Sequence, residues 1–462
     1  MRSVFSVICL LGLVVTFVWA APAPNTIQKR SFKIERVRNT AFTGHNTPRQ
    51  LLKAHMKFGI RPPQGLIDHI NAQEAARQDA TAVSKKKGHK HGNGNGNGNG
   101  NANANNGGGA TTDAGTNTTG TTTATTTNTT VDATTGSGVG IVTNTPTSGD
   151  VEYLSPVTIG GQTLNMDFDT GSSDLWVFNT DLSTAQSQGH TLFDPNQSST
   201  FKKLNGATFS ITYGDGSAVQ GTVGTDQVNI GGAVVNTQAV ELATKVSSSF
   251  VQDTSSNGLV GLAFSKLNTV QPTQQKTFFD NVQDSLTEPV MTANLRHDAA
   301  GSYEFGAIDS TQFTGTMTFV DVNTTQGFWQ FSSSKFAIGN GTVQTGGAGQ
   351  AIADTGTTLL LANDNIVNAY YSTVTGAEDN QEVGGITIPC DADLPDLQLE
   401  VGGSLATVKG SDIMFEQVQG NTCYGGLQAI DSDLMIFGDV FFKSNFIAFN
   451  IGNNTLGFAQ HA

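Results

Sequence analysis

A duplicated segment around an aspartate constrains the fold of this chain more than any other feature of its sequence. Met166–Ser172 reads Met-Asp-Phe-Asp-Thr-Gly-Ser and Ala351–Thr357 reads Ala-Ile-Ala-Asp-Thr-Gly-Thr, which places Asp169 and Asp354 185 residues apart. Both copies follow a strand-like stretch and precede an apolar one. A lone Asp-Thr-Gly arises by chance in many chains, but a repeat in matching surroundings indicates two related halves.

A second signature strengthens the match between the halves. Leu259–Gly261 and Ile436–Gly438 are both apolar-apolar-Gly segments, and they lie 92 and 84 residues after the aspartate of their own half. We therefore expect the body of the protein to consist of an N-terminal lobe at 148–325 and a C-terminal lobe at 326–462.

Each repeat supplies the residue types that a pair of cooperating carboxylates needs. Glycine directly after each Asp-Thr dipeptide lets the backbone turn tightly and approach closely. The hydroxyl residue after the glycine can donate a hydrogen bond to the carboxylate, and the threonine before it can tie the two loops together. These supporting residues are Thr170, Gly171, Ser172, Thr355, Gly356 and Thr357.

Two such loops across a pseudo-two-fold axis would bring Asp169 and Asp354 side by side. Two carboxylates at such a short distance cannot both ionise, so the pair shares a proton. One then acts as general base on a water molecule, while the other donates to the carbonyl oxygen of the substrate. The repeat predicts amide hydrolysis by direct attack of water, and we expect neither a metal nor a cofactor.

A hairpin signal between the two repeats offers a candidate lid over the carboxylates. Thr212–Ser217 reads Thr-Tyr-Gly-Asp-Gly-Ser, a turn sequence with the aromatic Tyr213 at its shoulder. Such a hairpin could close over the two carboxylates and exclude water. Taken alone, it fits an ordinary surface turn equally well.

The chain from about residue 147 onward has the pattern of an all-β fold. Short runs of β-branched and aromatic residues, such as Tyr153–Ile159 and Phe446–Phe449, alternate with turns rich in Gly, Asn, Asp and Ser. Helical patterns are few and short, with Thr277–Leu286 and Asn363–Thr375 as candidates.

Three segments of different composition precede this body. Residues 1–20 have a positive start, an apolar middle and a small-residue end, which is typical of a secretory signal peptide; a membrane anchor, the alternative, needs a longer apolar run. Residues 21–91 are basic and partly helical in pattern. Residues 92–147 are low in complexity, with 15 Thr between positions 111 and 135, so we expect a disordered or glycosylated linker.

Charge is distributed unevenly along the chain. The net charge is −14, yet residues 1–91 carry +11 and residues 148–462 carry −23. An acidic body argues against binding to nucleic acid or to anionic membranes. The basic segment is either a tail without function or, as we expect, a pro-segment held to the body by charge attraction and released when acid protonates the carboxylates.

Cysteine usage agrees with secretion into an oxidising compartment. Cys9 lies in the predicted signal peptide, which leaves Cys390 and Cys423 as one possible disulfide. The spacings typical of metal-binding cysteines and histidines are absent. Glycosylation sequons begin at Asn117, Asn128, Asn196, Asn323, Asn340 and Asn453.

Residues 148–462 resemble the pepsin-like aspartic proteases, and most closely the secreted acid proteases of filamentous fungi (aspergillopepsin and penicillopepsin type). The resemblance implies a bilobal β-fold with the active-site cleft between the lobes. The segments that carry it are Phe168–Phe178, Ser210–Ser217, Ser249–Thr254, Gly261–Phe264, Ala351–Thr358 and Ile436–Phe441.

The resemblance also implies roles for individual residues. Asp169 and Asp354 match the catalytic pair, and Tyr213, supported by Trp176, matches a tyrosine of the flap. Cys390 and Cys423 match a disulfide of the C-terminal lobe. The residues expected to bind the substrate backbone are Gly171, Gly214, Asp215, Gly356, Thr357 and Thr358.

The implied function is that of a secreted, extracellular, monomeric endopeptidase, made as a zymogen and active on proteins and peptides at acid pH. The family implies a preference for large apolar residues flanking the cut. Asp215 stands where digestive pepsins usually have an uncharged residue, so with Ser217 it is expected to allow Lys before the cut.

Two other classes of protein compete with this interpretation. A catalytically inactive homologue that binds peptides would have lost an aspartate or a hydroxyl neighbour, and all of these are present. A wall-associated glycoprotein with a Thr-rich stalk would be expected to end in a lipid-anchor signal, which the sequence lacks.

Overall fold

The computed structural model describes part of the basic segment and nearly all of the predicted body. The described residues are 47–73, 75, 138–213, 217–347 and 349–462. The predicted signal peptide and most of the predicted linker lie outside them.

Most of the regular structure is β-strand, which confirms the predicted all-β class. The strands of the first half are β1 (Gly140–Pro146), β2 (Tyr153–Ile159), β3 (Gln162–Asp169), β4 (Leu175–Val177), β5 (Lys202–Thr212), β6 (Ala218–Ile230), β7 (Ala233–Val246), β8 (Gly258–Gly261), β9 (Val290–Arg296), β10 (Ala299–Phe305) and β11 (Thr318–Asp321). The strands of the second half are β12 (Gln330–Ser332), β13 (Lys335–Ile338), β14 (Gln344–Thr345), β15 (Gln350–Ala353), β16 (Leu360–Ala362), β17 (Glu378–Asn380), β18 (Gly385–Pro389), β19 (Leu397–Val401), β20 (Ser404–Val408), β21 (Met414–Gln419), β22 (Thr422–Gly425), β23 (Leu427–Ala429), β24 (Leu434–Phe437), β25 (Asn445–Asn450) and β26 (Thr455–Gln460).

Helices within the described residues are short, as the sequence predicts. They are α1 (Thr47–Lys57), α2 (64–73), α3 (Thr184–Ser187), α4 (Ser248–Gln252), α5 (Phe278–Val282), α6 (Asp364–Tyr371), α7 (Gly410–Ile413) and α8 (Asp439–Ser444). Short 3-10 turns occupy Ser148–Asp150, Pro195–Gln197, Ser265–Leu267, Gln283–Ser285 and Thr324–Gln326. The predicted helix Thr277–Leu286 is therefore two pieces, α5 and a 3-10 turn, while α6 lies inside the predicted Asn363–Thr375.

The two halves repeat one strand arrangement around their aspartates. Strand β3 runs parallel to β8, with Asp169 opposite Gly261, and β8 is antiparallel to β4. In the second half β15 runs parallel to β24, which is antiparallel to β16. Both apolar-apolar-Gly segments therefore supply the strand beside an aspartate-bearing strand, which explains why they recur in the sequence.

A sheet of 13 strands joins the first half to the end of the chain. Its strand order is β11-β26-β25-β9-β10-β1-β2-β3-β8-β4-β7-β6-β5. Strands β25 and β26, from the predicted C-terminal lobe, pair with β9 and β11 of the predicted N-terminal lobe. The predicted lobe boundary at 325/326 thus separates the two repeats in sequence, but the 13-stranded sheet contains strands from both sides of it.

One prediction about the linker needs correction. Strand β1 lies inside the segment 92–147 that was expected to be disordered, and it pairs with β10 and β2. Its side chains alternate between buried and half-buried, with Val142 and Asn144 inside. The ordered sheet therefore begins at least as early as Gly140, because a strand with small polar residues is stabilised by partners far away in sequence.

The described part of the basic segment packs on the second half of the body. Leu51, Ala54, Leu66 and Ile70 are buried in an apolar cluster. Their partners from the second half are Ile352, Leu359, Leu361, Tyr424, Ile430 and Ile436. The predicted helical pattern of this segment corresponds to α1 and α2, whose apolar side chains cover a face of the body.

The predicted pair of cysteines is joined in the structure. Cys390, directly after β18, and Cys423, within β22, form a disulfide with their Cα atoms 5.0 Å apart. In the part of the chain that the structure describes, no helix is both long enough and apolar enough to cross a bilayer.

Candidate active site

The two repeated aspartates lie at equivalent points of the fold. Asp169 is the last residue of β3, and Asp354 directly follows β15. Both side chains are almost entirely buried, with exposed fractions of 2% and 0%. The ε-ammonium group of one lysine contacts both carboxylates, which brings the two side chains to one site.

Each carboxylate receives the same pair of hydrogen bonds from its own loop. Asp169 accepts from Gly171 N at 2.8 Å and from Ser172 Oγ at 2.6 Å. Asp354 accepts from Gly356 N at 3.0 Å and from Thr357 Oγ1 at 2.5 Å. The loop following each strand is thus folded back onto the aspartate by donors two and three residues further on.

The threonines between aspartate and glycine tie the two loops together. Thr170 Oγ1 donates to Ala353 O at 2.9 Å, and Thr355 Oγ1 donates to Phe168 O at 2.6 Å. Each hydroxyl also accepts from the backbone N–H of the opposite threonine, at 3.0 and 3.2 Å. This symmetric exchange is buried and fixes one loop relative to the other.

Glycine is required in both loops because each faces the opposite carboxylate. A Cβ atom on Gly171 would lie 2.4 Å from Asp354 Oδ1, and one on Gly356 would lie 2.3 Å from Asp169 Oδ1. Since no real Cβ comes so close to an oxygen, any side chain here would push the two aspartates apart.

Lys57, the last residue of α1, occupies the space between the aspartates. Its Nζ lies 2.8 Å from Asp169 Oδ1, and 3.0 and 2.9 Å from the two oxygens of Asp354. The lysine side chain is 6% exposed. Both carboxylates are therefore covered by a cation from the basic segment.

The pKa values of the two aspartates are shifted in opposite directions. Burial alone would raise the pKa of Asp169, but Lys57 and the hydrogen bonds from Asp354, Lys57 and Ser172 lower it to about 2. Burial raises the pKa of Asp354, and the charge of Asp169 adds to that rise against the opposing effect of Lys57. Burial would lower the pKa of Lys57, but the two carboxylates raise it. With Lys57 in place, the pKa of Asp169 is thus lowered and that of Asp354 is raised.

The predicted flap tyrosine lies close to this pair. Tyr213 is buried, and its hydroxyl accepts a hydrogen bond of 3.0 Å from Trp176 Nε1. Backbone N–H of Tyr213 donates to Ser217 O at 2.8 Å. Phe250 packs edge-on against both Tyr213 and Trp176. Gly214 and Asp215, for which substrate contacts are predicted, lie outside the described residues.

Thr358 supports the second loop from behind. Its Oγ1 donates to Val151 O at 2.7 Å and lies 3.5 Å from Gln50 Oε1 of helix α1. The predicted substrate-binding threonine is thus covered by the basic segment.

An acidic pocket beside the aspartates was not predicted from the sequence. Glu152, Asp167 and Asp253 line it together with Lys53 of α1 and the aromatic rings of Trp176, Phe178, Tyr213 and Phe250. Burial raises the pKa of Asp167 to about 7 and that of Glu152 well above its usual range, with Lys53 opposing both.

Of the site residues Asp167 and Lys57, which the sequence analysis did not identify, only Asp167 had a signal in the sequence. Asp167 lies two residues before Asp169 in the same strand, and residues two apart point to one face. Lys57 has no such signal, because its partners lie 112 and 297 residues away.

In the described ranges, no group of three or more His, Cys, Asp or Glu side chains is arranged so that it could hold a metal ion.

Comparison with known proteins gives one consistent result. Residues 152–461 match the model of the eukaryotic aspartyl protease family. A protein of Aspergillus fumigatus named as an aspergillopepsin A-like aspartic endopeptidase is 51% identical over 330 residues, which cover 70% of this chain and 77% of that one. Penicillopepsin-1 of Penicillium janthinellum is 48% identical over 325 residues, covering 70% and 99%. Aspergillopepsin-1 of Aspergillus oryzae is 48% identical over 324 residues, covering 70% and 82%.

Proposed function

The chain belongs to the eukaryotic aspartyl protease family, and we propose that it is a secreted acid endopeptidase made as a latent precursor. It is an aspartic endopeptidase of the pepsin-like family, similar to fungal acid proteases. The observation that carries the proposal is the contact of Lys57, from the basic segment, with both aspartates of the repeat.

Asp169 and Asp354 are proposed as the catalytic pair. Once Lys57 has left, the hydrogen bonds from Asp354 and Ser172 still act to lower the pKa of Asp169, so Asp169 is proposed as the ionised member, which removes a proton from the attacking water. Asp354, with its raised pKa, holds the proton that passes to the carbonyl oxygen of the scissile amide. A tetrahedral intermediate forms by addition of water. The C–N bond then breaks as Asp169 passes the proton from water to the leaving nitrogen, and Asp354 regains its proton from a hydroxyl of the intermediate as the carboxyl product forms.

The supporting residues keep this proton distribution in place. Ser172 donates to Oδ2 of Asp169, and Thr357 donates to Oδ2 of Asp354. The Oδ1 atoms of both carboxylates are therefore proposed to face the reacting water and carbonyl. Thr170 and Thr355 hold the loops at a fixed separation. Gly171, Gly356, Thr358 and the flap residues Tyr213, Gly214, Asp215 and Ser217 are proposed to contact the substrate, with Trp176 bracing Tyr213.

Helix α1 is proposed to act as an intramolecular inhibitor. Lys57 neutralises the ionised aspartate and fills the position of the reacting groups. Leu51 and Ala54 of the same helix bind the second half through their apolar side chains. The opposite net charges of the front and body of the chain favour the same docking at neutral pH. Acidification followed by proteolytic removal of the segment would open the site.

Specificity for large apolar residues is proposed from the similarity to the fungal acid proteases. The packed aromatic rings of Trp176, Tyr213 and Phe250 at the base of the flap are consistent with it. Acceptance of Lys before the cut is proposed to depend on Asp215 with Ser217. An Asp215→Ala variant should lose cleavage after Lys and retain cleavage after Phe or Leu. Unchanged cleavage at Lys would remove that part of the proposal.

Secretion and a monomeric state complete the proposal. A signal peptide at residues 1–20 and the Cys390–Cys423 disulfide support export to an oxidising compartment. N-terminal sequencing of the exported product tests both the signal cut and the site at which the pro-segment is removed.

Catalysis is tested with the exported protein and an Asp169→Asn variant prepared identically. At pH 3–4 the parent should fragment a denatured protein substrate, and the variant should not. If neither cleaves after the basic segment has been removed, the inactive-homologue interpretation is correct instead.

Inhibition by Lys57 is tested with a Lys57→Met variant of the full chain. Methionine keeps the length of the side chain but cannot pair with the aspartates, so the precursor should show activity before any acid treatment. Arg61→Met, an exposed site on the same segment, is the matched control and should stay latent. Equal latency of both variants would show that Lys57 does not inhibit.

A further inference from the structure

Helix α1 carries a histidine in an unusual environment, two residues before Lys57. His55 lies in the interface between the helix and the second half of the body, and it is only 1% exposed. Its neighbours along the helix, Leu51 and Ala54, are buried in the apolar cluster with Ile352 and Leu359. The imidazole is therefore held where a charge is unfavourable.

Neither ring nitrogen of His55 finds a hydrogen-bond partner among the residues that the structure describes. The backbone of Ala429 lies near the ring and acts to raise its pKa, but it does not reach hydrogen-bond geometry. A neutral imidazole with both nitrogens unpaired already costs free energy, and an imidazolium buried without partners costs considerably more.

No charged group in the described residues forms an ion pair with the ring of His55. An open cavity of about 480 Å³ adjoins His55, and its charged lining residues are Arg61 from the basic segment, Asp364 from α6 and Asp431 after β23. None of the ion pairs found in the described residues joins His55 to either carboxylate. Tyr424, the other titratable residue in the apolar cluster, stays neutral because burial raises its pKa.

Burial accordingly lowers the pKa of His55 to about 4, from an ordinary value of 6.5. A free helix would bind a proton at pH 6.5, whereas the docked helix binds it only near pH 4. Docking is therefore strongest above pH 6.5 and weakens as the pH falls from 6.5 to 4, by on the order of a hundredfold in the docking equilibrium.

Two carboxyl groups that contact helix α1, those of Asp169 and Glu416, do not release the helix in mild acid. Asp169 keeps its charge down to about pH 2, so its pair with Lys57 survives mild acidification. Glu416, which accepts a hydrogen bond from Thr47 at the start of α1, has a pKa that burial raises. Protonation of Glu416 therefore favours the buried state and does not release the helix.

We propose that His55 is the pH sensor of the basic segment, whose protonation drives helix α1 off the second half and so withdraws Lys57 from the aspartates. This inference rests on the proposed inhibition by the segment and identifies the group that releases it. It differs from release by loss of carboxylate charge, which the sequence alone suggested.

Two substitutions at His55 test the proposal because they are expected to act in opposite directions. His55→Leu fills the apolar site and never ionises, so the full chain should stay latent at lower pH and convert on the order of a hundredfold more slowly at pH 4. His55→Lys carries a charge at all pH values of interest, and that precursor should convert near neutral pH. His69→Leu, a half-buried histidine of the same segment bonded to Gln73, is the matched control and should convert like the parent.

The readout is the pH at which half of the precursor converts in a fixed time, with hydrogen exchange of residues 47–57 as a second measurement. Simple damage to the interface would make both variants convert at higher pH, so a lower midpoint for His55→Leu cannot arise from misfolding. An unchanged midpoint for His55→Leu, in a parent that does convert on acidification, overturns the sensor alone. A parent that is active without conversion overturns the proposed inhibition itself.

Discussion

The two aspartate loops share their hydrogen bonds but not their surroundings. Two residues before the aspartate, the first half has Asp167 and the second has Ile352; five residues after it, the first has Asp174 and the second has Leu359. Carboxyls of the first half thus correspond to aliphatic side chains of the second at both positions.

These differences give each half a separate task. Asp167 lines the acidic pocket that receives Lys53, and Asp174 belongs to a buried polar network with Glu241 and Asn268. Ile352 and Leu359 form the apolar surface on which helix α1 lies.

The comparison shows which part of the repeat is constrained by chemistry. Both carboxylates need a close glycine and a hydroxyl donor, so these residues recur in both loops. Neighbouring positions that do not touch the carboxylates differ between the halves. The first half has titratable groups there, and the second has an apolar face on which the basic segment packs.

We expect the largest effect from substitution of the glycine that both aspartate loops contain. Gly171→Ala and Gly356→Ala each place a methyl group against the opposite carboxylate, so both should lower kcat at least a hundredfold. Peptide hydrolysis by the mature enzyme measures this loss. Gly349→Ala, where a Cβ meets open space, is the control and should keep parental activity. Full activity in one of the two loop variants would show that the loops are not equivalent.

The next largest effect is on docking of helix α1, where the apolar contact of Leu51 can be compared with the charge of Lys53. Leu51→Ala removes a buried contact with the second half and should weaken docking by about 2–4 kcal/mol. Lys53→Met removes a charge that faces the acidic pocket of the first half. At pH 5.5 Asp167 and Glu152 hold protons there because burial raises their pKa, so this substitution should weaken docking less than Leu51→Ala. The initial rate of the precursor at pH 5.5, before conversion, reports both losses. A larger release by Lys53→Met would contradict the apolar basis of docking.

A smaller effect concerns stability near neutral pH. Burial, followed by the neighbouring Asp174, raises the pKa of Glu241 well above its usual range. The folded state therefore keeps a proton that the unfolded state has lost, so stability falls as the pH rises above the unfolded value. Glu241→Gln should remove up to about 1.4 kcal/mol per pH unit from the slope of the unfolding free energy between pH 5 and 7.

Glu400 of the second half is the matched control for Glu241. Burial would raise the pKa of Glu400, but hydrogen bonds from Ser334 and Lys335 lower it. Its contribution is present at neutral pH and lost in acid, so Glu400→Gln should leave the decline toward neutral pH unchanged. Urea unfolding in an Asp169→Asn background avoids self-digestion. An unaltered slope for Glu241→Gln would exclude this group as the cause.

The smallest effect distinguishes the two hydroxyl donors. Ser172 lowers the pKa of Asp169 and Thr357 lowers that of Asp354. Ser172→Ala should move the acid limb of the activity profile upward, and Thr357→Ala should move the alkaline limb upward, each by on the order of one pH unit. Movement of the opposite limb in either variant would reverse the assignment of base and acid.

The sequence predicted the parts of the site that are local. All the donors that orient Asp169 from its own loop lie within three residues of it, and the same holds for Asp354. Because these residues recur as a repeat, their chemistry could be read without knowing the fold.

The sequence did not predict features that depend on distant partners. Lys57 meets its carboxylates across more than 100 residues, and nothing beside it in sequence marks it as a ligand. Strand β1 was assigned to the linker because its partner β10 contacts it only in the folded sheet, where Gly140 lies opposite Phe305. His55 likewise acquires its pKa from burial against the second half.

The most direct test is the pH dependence of kcat/KM for one peptide, measured on the mature parent and on Asp169→Asn and Asp354→Asn. A shared-proton pair predicts a bell-shaped profile for the parent and a loss of at least a thousandfold in both variants at every pH from 2 to 7. Activity within tenfold of the parent in either variant, at any pH in that range, would contradict catalysis by the two aspartates.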